Sequence, residues 1–261
     1  MKDINVGGSW GIFGLPEFTD YRGTLFFAGT DKEHGRELWK SDGTEAGTVL
    51  VKDIYPNASN NSNPRGLTVY NDLLLFIAAD STGRKIWRSD GTEEGTQILI
   101  DIEATNGFVN ANGTLFFTAT DNEHGVELWR TDGTPEGTRL VQDILTGPND
   151  SSPFLLDYIN DALYFTALDE SNGRELWALS PLRIQAELSA SSGAVCSTED
   201  SITFTASVTN AGAEPTYQWY LNDQRIPNQS SSTYAAAEFT NGDEVRIQVF
   251  ASKDIWVLND R

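Results

Sequence analysis

The sequence predicts an all-β protein, with a four-bladed β-propeller over residues 1–181 and an immunoglobulin-like β-sandwich over residues 182–261. Two observations predict the propeller: a unit of about 45 residues recurs four times, and each unit holds up to four short strand patterns. A third predicts the sandwich, because the remaining stretch reads as shorter alternating strands joined by Ser-, Gly- and Asn-rich turns. The composition agrees, with 13 Phe, 7 Trp and 23 Gly, which is typical of strands and tight turns.

Each unit centres on a strand pattern that begins with Gly and reaches Trp four residues later. The four copies are Gly35–Trp39, Gly83–Trp87, Gly125–Trp129 and Gly173–Trp177, and their Trp residues are 48, 42 and 48 positions apart. In the first three units the pattern Asp-Gly-Thr-x-x-Gly-Thr follows, beginning at Asp42, Asp90 and Asp132. A strand pattern precedes each Gly and another follows each Thr, which gives the strand number of a propeller blade.

The repeated residues have a structural interpretation and a functional one. Large apolar rings such as Trp39, Trp87, Trp129 and Trp177 are expected to pack between blades, and a sugar-stacking platform is the alternative. The carboxylates of Asp42, Asp90 and Asp132 are expected to accept backbone N–H groups in turns where Gly takes positive φ. Calcium binding is the alternative for these Asp residues, although calcium needs six to eight oxygens. We therefore expect no cofactor, with calcium as the minority hypothesis.

The last unit has no Asp-Gly-Thr and no fourth strand pattern after Trp177. The N-terminus supplies a candidate, because Met1-Lys2-Asp3-Ile4 matches Val51–Ile54 and Val141–Ile144. We therefore predict that residues 1–5 pair into the last blade and close the ring, which leaves no strand edge open to aggregation. A larger ring with further blades is the alternative.

The C-terminal stretch has the alternation of a small sandwich. Trp219 falls in the middle of its third strand pattern, where sandwiches of this size keep a core Trp. The stretch Asp254–Leu258 is the candidate for its last strand. Its acidic residues add to a charge of −20 and a pI near 4.3 for the whole chain, so neither half offers a basic surface.

Charge and residue counts exclude several function classes. A chain with 38 acidic and 18 basic residues repels nucleic-acid phosphates and anionic lipid heads. No apolar run approaches the roughly 20 residues that cross a bilayer, so we expect no membrane insertion. The single Cys, Cys196, excludes an internal disulfide. His34 and His124 occupy the same hairpin position in two units, which favours a structural role over Ser/His/Asp catalysis.

The motif Glu-Leu-Trp-x-x-Asp-Gly-Thr-x-x-Gly-Thr, complete at 37–48 and 127–138, resembles the ELWxxDGT repeat of large bacterial cell-surface proteins. The second unit departs from it at Lys85-Ile86. The tail resembles the Ig-like or PKD-like modules of secreted proteins from Bacteroidetes-type bacteria, which commonly leave by type IX secretion. The resemblance implies an extracellular or cell-surface location, although this chain carries no export signal or sorting domain. Such modules usually hold a second Cys near Ala251, so Cys196 is free or pairs outside the chain.

These features predict a non-enzymatic structural or adhesive module of an exported surface protein or appendage. Its expected partners are other copies of itself, other surface proteins and surface glycans, met through the long loops Asn57–Pro64 and Leu145–Pro153. Asp80-Ser81-Thr82 and Asp200-Ser201-Ile202 match the O-glycan acceptor pattern of that bacterial group, which makes Ser81 and Ser201 candidate acceptors. The alternative function is a carbohydrate-active enzyme of glycosidase or lyase type, which needs two carboxyls facing one pocket.

Overall fold

A computed structural model describes residues 2–6, 11–12, 17–57, 59–121, 123–181, 185–191, 201–211, 214–236, 239–240, 242–250 and 256–258. Strands are its regular elements, and no helix occurs in these ranges. The all-β prediction is confirmed. None of the described residues forms a helix of the length and apolarity that a membrane span requires. The chain divides into two compact units, Met1–Trp177 and Ala178–Arg261.

The first unit contains three antiparallel sheets and the first strands of a fourth, in chain order, and hairpins connect most neighbouring strands. The first sheet is β1 (Thr19–Tyr21), β2 (Thr24–Asp31), β3 (Gly35–Ser41) and β4 (Val49–Lys52). The second is β5 (Arg65–Tyr70), β6 (Leu73–Asp80), β7 (Gly83–Ser89) and β8 (Gln97–Ile100). The third is β10 (Val109–Ala111), β11 (Thr114–Asp121), β12 (Gly125–Thr131) and β13 (Arg139–Gln142), with β9 (Glu103–Ala104) paired to β11.

The fourth sheet is β14 (Phe154–Ile159), β15 (Ala162–Asp169), β16 (Gly173–Pro181) and β23 (Trp256–Leu258). Strand β16 runs through the boundary between the units, and its Leu179–Pro181 end pairs with β23. The prediction that Asp254–Leu258 ends the sandwich is therefore wrong for its described part, since Trp256–Leu258 extends the fourth sheet. The edge of β16 has backbone N–H and C=O groups that need partners, and β23 supplies them.

Each sheet has two apolar faces because consecutive side chains of a strand point in opposite directions. We call the face that carries Leu38, Ile86, Leu128 or Leu176 the forward face, and the face that carries the following Trp the rear face. The forward face of the first sheet packs on the rear face of the second, where Phe26 and Leu38 share a core with Phe76 and Trp87. The second sheet meets the third in the same way.

The prediction that residues 1–5 form the fourth strand of the last sheet is wrong for the described residues. Residues 2–6 form no strand and lie against the rear face of the first sheet. Lys2 Nζ donates to the Thr48 carbonyl at 3.0 Å, and a Cβ on Gly29 would lie 3.0 Å from Ile4 Cδ1. Ile54, the match of Ile4, likewise packs in the core that holds Trp87. The Lys-Asp-Ile sequence thus encodes contact with the sheet that follows it.

The second unit contains two three-stranded sheets. One has the order β17 (Gln185–Ala190), β18 (Ile202–Thr209) and β21 (Thr233–Ala236). The other has β20 (Gln224–Arg225), β19 (Thr216–Leu221) and β22 (Val245–Phe250). Trp219 is fully buried in a core with Ala206 and Tyr234. Its indole N–H donates to the Ser231 carbonyl at 2.9 Å, which satisfies the polar atom of this core ring.

Candidate functional site

The Asp-Gly-Thr turns are closed by their own side chains. Asp42 Oδ1 accepts the Thr44 N–H at 2.9 Å and the Thr44 hydroxyl at 2.7 Å. The Thr44 hydroxyl accepts the Gly47 N–H at 2.9 Å, and the Thr48 hydroxyl donates to the Thr44 carbonyl at 2.6 Å. The same bonds recur around Asp90 and Asp132. Each turn is therefore a self-contained hydrogen-bonded cap on its hairpin.

The second Gly of each turn is required by the Asp carboxylate that lies over it. A Cβ at Gly47 would stand 2.0 Å from Asp42 Oδ1, a distance at which no side chain fits. A Cβ at Gly95 or Gly137 would likewise stand 2.0 Å from the carboxylate of Asp90 or Asp132. The motif therefore needs Gly five residues after the Asp, because the Asp carboxylate packs against the backbone there and leaves no room for a side chain.

The Asp carboxylates of these turns are occupied by protein donors. The hydrogen bond from the Thr44 hydroxyl holds the pKa of Asp42 below its ordinary value, and that from Thr92 does the same for the pKa of Asp90. In the described ranges no three His, Cys, Asp or Glu side chains lie close enough together to hold a metal ion. The turn geometry favours the structural interpretation of Asp42, Asp90 and Asp132 over calcium binding.

The repeated Trp residues lie on the rear faces. Trp39, Trp87 and Trp129 are buried and Trp177 is half-buried. Trp87 packs against the first sheet and Trp129 against the second. The indole N–H of Trp87 donates to the Ala78 carbonyl at 3.2 Å. Buried rings of this kind offer no open platform for sugar stacking, and Trp219 is enclosed in the second unit.

The two His residues are bound inside their hairpins. His34 Nδ1 lies 2.7 Å from Asp31 Oδ2, and His124 Nδ1 lies 2.8 Å from Asp121 Oδ2. The hydrogen bond with Asp31 raises the pKa of His34, and the one with Asp121 raises the pKa of His124. A His that shares its proton with a neighbouring Asp in a hairpin is a turn-closing group, as the repeat position predicts.

The structure adds a site that the sequence reasoning missed: the Glu that precedes Leu-Trp. Glu37 is fully buried. Its carboxylate accepts the Ile54 N–H at 3.0 Å, the Ser62 N–H at 3.0 Å and the Ser62 hydroxyl at 2.6 Å. It thereby binds the linker that leaves the first sheet for the second. A buried backbone N–H needs such an acceptor, because leaving it unpaired costs free energy.

Glu127 does the same for the linker between the third and fourth sheets. It accepts the Ser151 N–H at 3.2 Å and the Ser151 hydroxyl at 2.5 Å, with the Ile144 N–H at 3.4 Å. A signal for this site is present in the sequence, because a Glu within an apolar strand recurs before a linker that contains Ser-x-Pro. We call Glu37 and Glu127 the linker clamps.

The linker clamps are the carboxyls that a glycosidase interpretation would choose. Burial raises the pKa of Glu37 and of Glu127, as a general acid requires. Each carboxylate, however, is fully buried and bonded to backbone. In the second sheet the equivalent residue is Lys85, which forms an ion pair with Asp101. This ion pair joins Lys85 to the residue that follows β8, so in the second sheet too the position contacts the start of the linker.

An open cleft of 430 Å³ lies where the linkers enter the third and fourth sheets. Arg174 is the charged residue of its lining, and its guanidinium donates to the Ser152 carbonyl at 2.9 Å. Phe154 is 56% exposed beside it. The other lining residues are Thr105, Asn106, Val126, Ser152 and Pro153. An exposed aromatic ring next to a guanidinium and small polar groups can contact a polar ligand with an anionic group.

The two long loops are only partly available for contacts. In Asn57–Pro64 the residues Ser62 and Pro64 are buried, and in Leu145–Pro153 the residues Ser151 and Pro153 are buried. The exposed portions lie toward the loop starts and middles. The linker clamps bind the later Ser of each loop, so contacts with partners are left to the exposed residues.

The remaining candidates lie elsewhere. Ser81 is exposed in the β6–β7 turn and Ser201 is exposed just before β18. Cys196 lies outside the described residues.

No protein-family model matches the chain. No curated protein matches it. Among solved structures the chain is similar to a protein from Bacteroides ovatus ATCC 8483 that is provisionally named a hydrolase, with 12% sequence identity and a TM-score of 0.31. The similarity covers 76% of this chain and 79% of that one. A likeness this slight defines neither a fold nor an activity for the present chain.

Proposed function

We propose that this chain is a non-enzymatic structural and adhesive module of an exported cell-surface protein or appendage. The observation that carries the proposal is the use of the repeat's polar groups. Asp42 closes a turn, His34 closes a hairpin and Glu37 clamps a linker. These repeated polar side chains build the scaffold, and we assign the function to exposed surfaces.

The proposal includes a finer account of the fold. We take the four sheets of the first unit as propeller blades, and the two three-stranded sheets of the second as an Ig-like sandwich around Trp219. Face-to-face packing of successive four-stranded antiparallel sheets supports the first. A fully buried Trp on a central strand supports the second.

The expected ligands are surface glycans and other surface proteins. In the cleft, Phe154 offers an apolar ring, Arg174 offers a cation, and Asn106 and Ser152 offer polar groups for hydroxyls. In a chain with a net charge of −20, this cation marks a place where an acidic sugar is attracted locally. The glycosidase alternative has less support, because the two carboxyls with raised pKa, Glu37 and Glu127, are buried and bonded to backbone.

The test is a binding and turnover assay on one panel of acidic and neutral surface glycans. We expect binding without release of reducing sugar, and weaker binding by Phe154→Ala and Arg174→Ala. The matched control is Arg246→Ala, which removes an exposed Arg of the second unit paired with Asp223 and should bind as the wild type does. Sugar release that is abolished by Glu37→Gln or Glu127→Gln, with the fold intact, would overturn the proposal in favour of an enzyme.

A further inference from the structure

The forward face of the fourth sheet is uncovered. Leu38, Ile86 and Leu128 occupy equivalent positions in the first three sheets and are 0%, 0% and 1% exposed, whereas Leu176 is 64% exposed. The same contrast holds along the face, where Tyr164 and Ile159 are exposed while their equivalents Phe26 and Tyr21 are buried. Phe154 adds a further exposed apolar ring. A contiguous apolar face of this kind marks an interaction surface.

The rear face of the first sheet is open in part. Its Trp39 and Phe27 are buried, but Phe18, which packs on Phe27, is 54% exposed. Leu25 is 38% exposed, whereas its equivalents Leu74, Leu115 and Leu163 are each 0% exposed. The turn glycines give an independent comparison. A Cβ at Gly91 would lie 3.2 Å from Phe26 of the preceding sheet, and one at Gly133 would lie 3.4 Å from Tyr70, but Gly43 has nothing within 4 Å.

These two faces are the two halves of an interface that the molecule already forms twice. Forward face meets rear face between the first and second sheets and between the second and third. The N-terminal segment also stands where a linker from a preceding sheet would stand. Lys2 Nζ donates to the turn carbonyl of Thr48, as Lys52 Nζ donates to the turn carbonyl of Glu93 in the next sheet.

We infer that the forward face of the fourth sheet docks on the rear face of the first sheet in a second copy of this chain. The inference deepens the proposed function, on which it rests, by naming the partner and the surface. Leu176 and Tyr164 of one copy pack against Leu25 and Phe18 of the next, which are 38% and 54% exposed, beside the N-terminal segment that is already in place. Such a head-to-tail contact is heterologous, so it generates a closed ring or an extended filament according to the rotation between copies.

Charge gives the assembly a distinctive salt response. Two copies that each carry a net charge of −20 repel one another, while the docking faces are apolar. Salt screens the repulsion and leaves the apolar contact intact. Association therefore strengthens as ionic strength rises, which is the reverse of an assembly held by ion pairs.

The test is a complementation experiment followed by sedimentation velocity under reducing conditions, so that Cys196 forms no disulfide. Leu176→Glu damages the forward face and Leu25→Glu damages the rear face, both at exposed positions. We expect the wild type to associate, each variant alone to be monomeric, and an equimolar mixture of the two to form a dimer through the one intact pair of faces. The control Ile98→Glu, at a comparably exposed position of the second sheet, should associate as the wild type does.

Three outcomes would overturn the inference. A wild type that stays monomeric up to roughly 0.1 mM would mean that the faces remain open or close within one chain. Association that survives both Leu176→Glu and Leu25→Glu would place the contact on another surface. Variants that are monomeric alone and monomeric when mixed would exclude the head-to-tail pairing. Phe154 belongs to both the forward face and the cleft, so glycan binding is also measured on the monomeric Leu25→Glu variant, whose cleft lining is unchanged. Binding by that variant tests the proposed function separately from the docking.

Discussion

Replacing Glu37 by alanine should destabilise the first unit more than any other single change to a repeated acidic residue. The substitution leaves the N–H groups of Ile54 and Ser62 without an acceptor in a fully buried site. Each buried group left unpaired costs about 1–3 kcal/mol. Relief from burying a carboxylate offsets part of that cost, so we expect a loss of about 2–4 kcal/mol in the free energy of unfolding.

Urea denaturation followed by Trp fluorescence measures this loss, and amide hydrogen exchange shows where it arises. We expect the Ile54 and Ser62 amides to lose protection in Glu37→Ala. The matched control is Glu175→Ala, which removes the half-buried Glu at the same repeat position of the fourth sheet and should change stability by less than about 0.5 kcal/mol. Equal losses in the two variants, or unchanged protection at Ile54 and Ser62, would refute the clamp.

The pH dependence of the stability of Glu37→Gln provides a second test of the linker clamp. Burial raises the folded-state pKa of Glu37 above its ordinary value of 4.5, so the folded protein binds this proton more tightly than the unfolded chain does. The wild type therefore gains stability as the pH falls through the raised pKa toward 4.5, while a Gln at this position cannot titrate. The wild-type advantage over Glu37→Gln should shrink as the pH rises. An advantage that grows with pH would contradict the argument.

Three further changes test the turns, the hairpins and the core. Gly47→Ala places a Cβ against the Asp42 carboxylate, and we expect a loss of about 1–3 kcal/mol in urea denaturation. The pKa of His34, followed by NMR, should lie above 6.5 and fall in Asp31→Asn; the stability that this pair adds is present below pH 6.5 and lost as the pH rises through the folded-state value. Trp87→Ala opens a cavity between the first two sheets and should cost about 3–5 kcal/mol.

Each of these predictions has a matched control. Gly107→Ala adds a Cβ that meets only ordinary contact, at 3.5 Å from the Gly66 Cα atom, so its stability should equal or slightly exceed that of the wild type. His124 in the Asp31→Asn variant should keep its raised pKa, because Asp121 is unchanged. Val69→Ala, at a half-exposed side chain, should cost less than about 0.5 kcal/mol. A large effect in any control would assign the result to general loss of structure.

The periodic parts of the fold were predictable because they depend on local chemistry. The Gly-to-Trp pattern marks β3, β7, β12 and β16, and the bonds of the Asp-Gly-Thr turns lie within seven residues. The position of the N-terminal segment was not predictable in the same way. Lys2-Asp3-Ile4 matches Lys52-Asp53-Ile54 in sequence. In the first sheet Lys52 ends β4 and Ile54 then contacts the second sheet, so the match is compatible with either a strand or a contact with the sheet that follows. In the structure Lys2 and Ile4 make the contact with the following sheet and form no strand.

The role of the linker clamps was not predicted from the sequence, because it depends on which backbone groups are buried beside Glu37 and Glu127. A Glu beside Leu-Trp reads as a surface residue of an acidic protein, and charge alone gives no sign that Glu37 is enclosed. The sign is in the linkers, where Ser62 and Ser151 each precede a Pro by two residues. The exposure of Leu176 also escapes sequence analysis, since its neighbours in sequence are those of the buried Leu38 and Leu128.

The reach of the linker clamps has a consequence for how the chain folds. Glu37 bonds to groups 17 and 25 residues further along, and the hairpins on either side close still shorter loops. Closing a short loop costs little chain entropy, and proteins whose contacts are near in sequence fold faster than other all-β proteins. Each sheet with its clamped linker can therefore form as a local cooperative unit, and folding can begin at any sheet and spread to its neighbours. Pulse-labelled hydrogen exchange should then reveal protection that appears sheet by sheet.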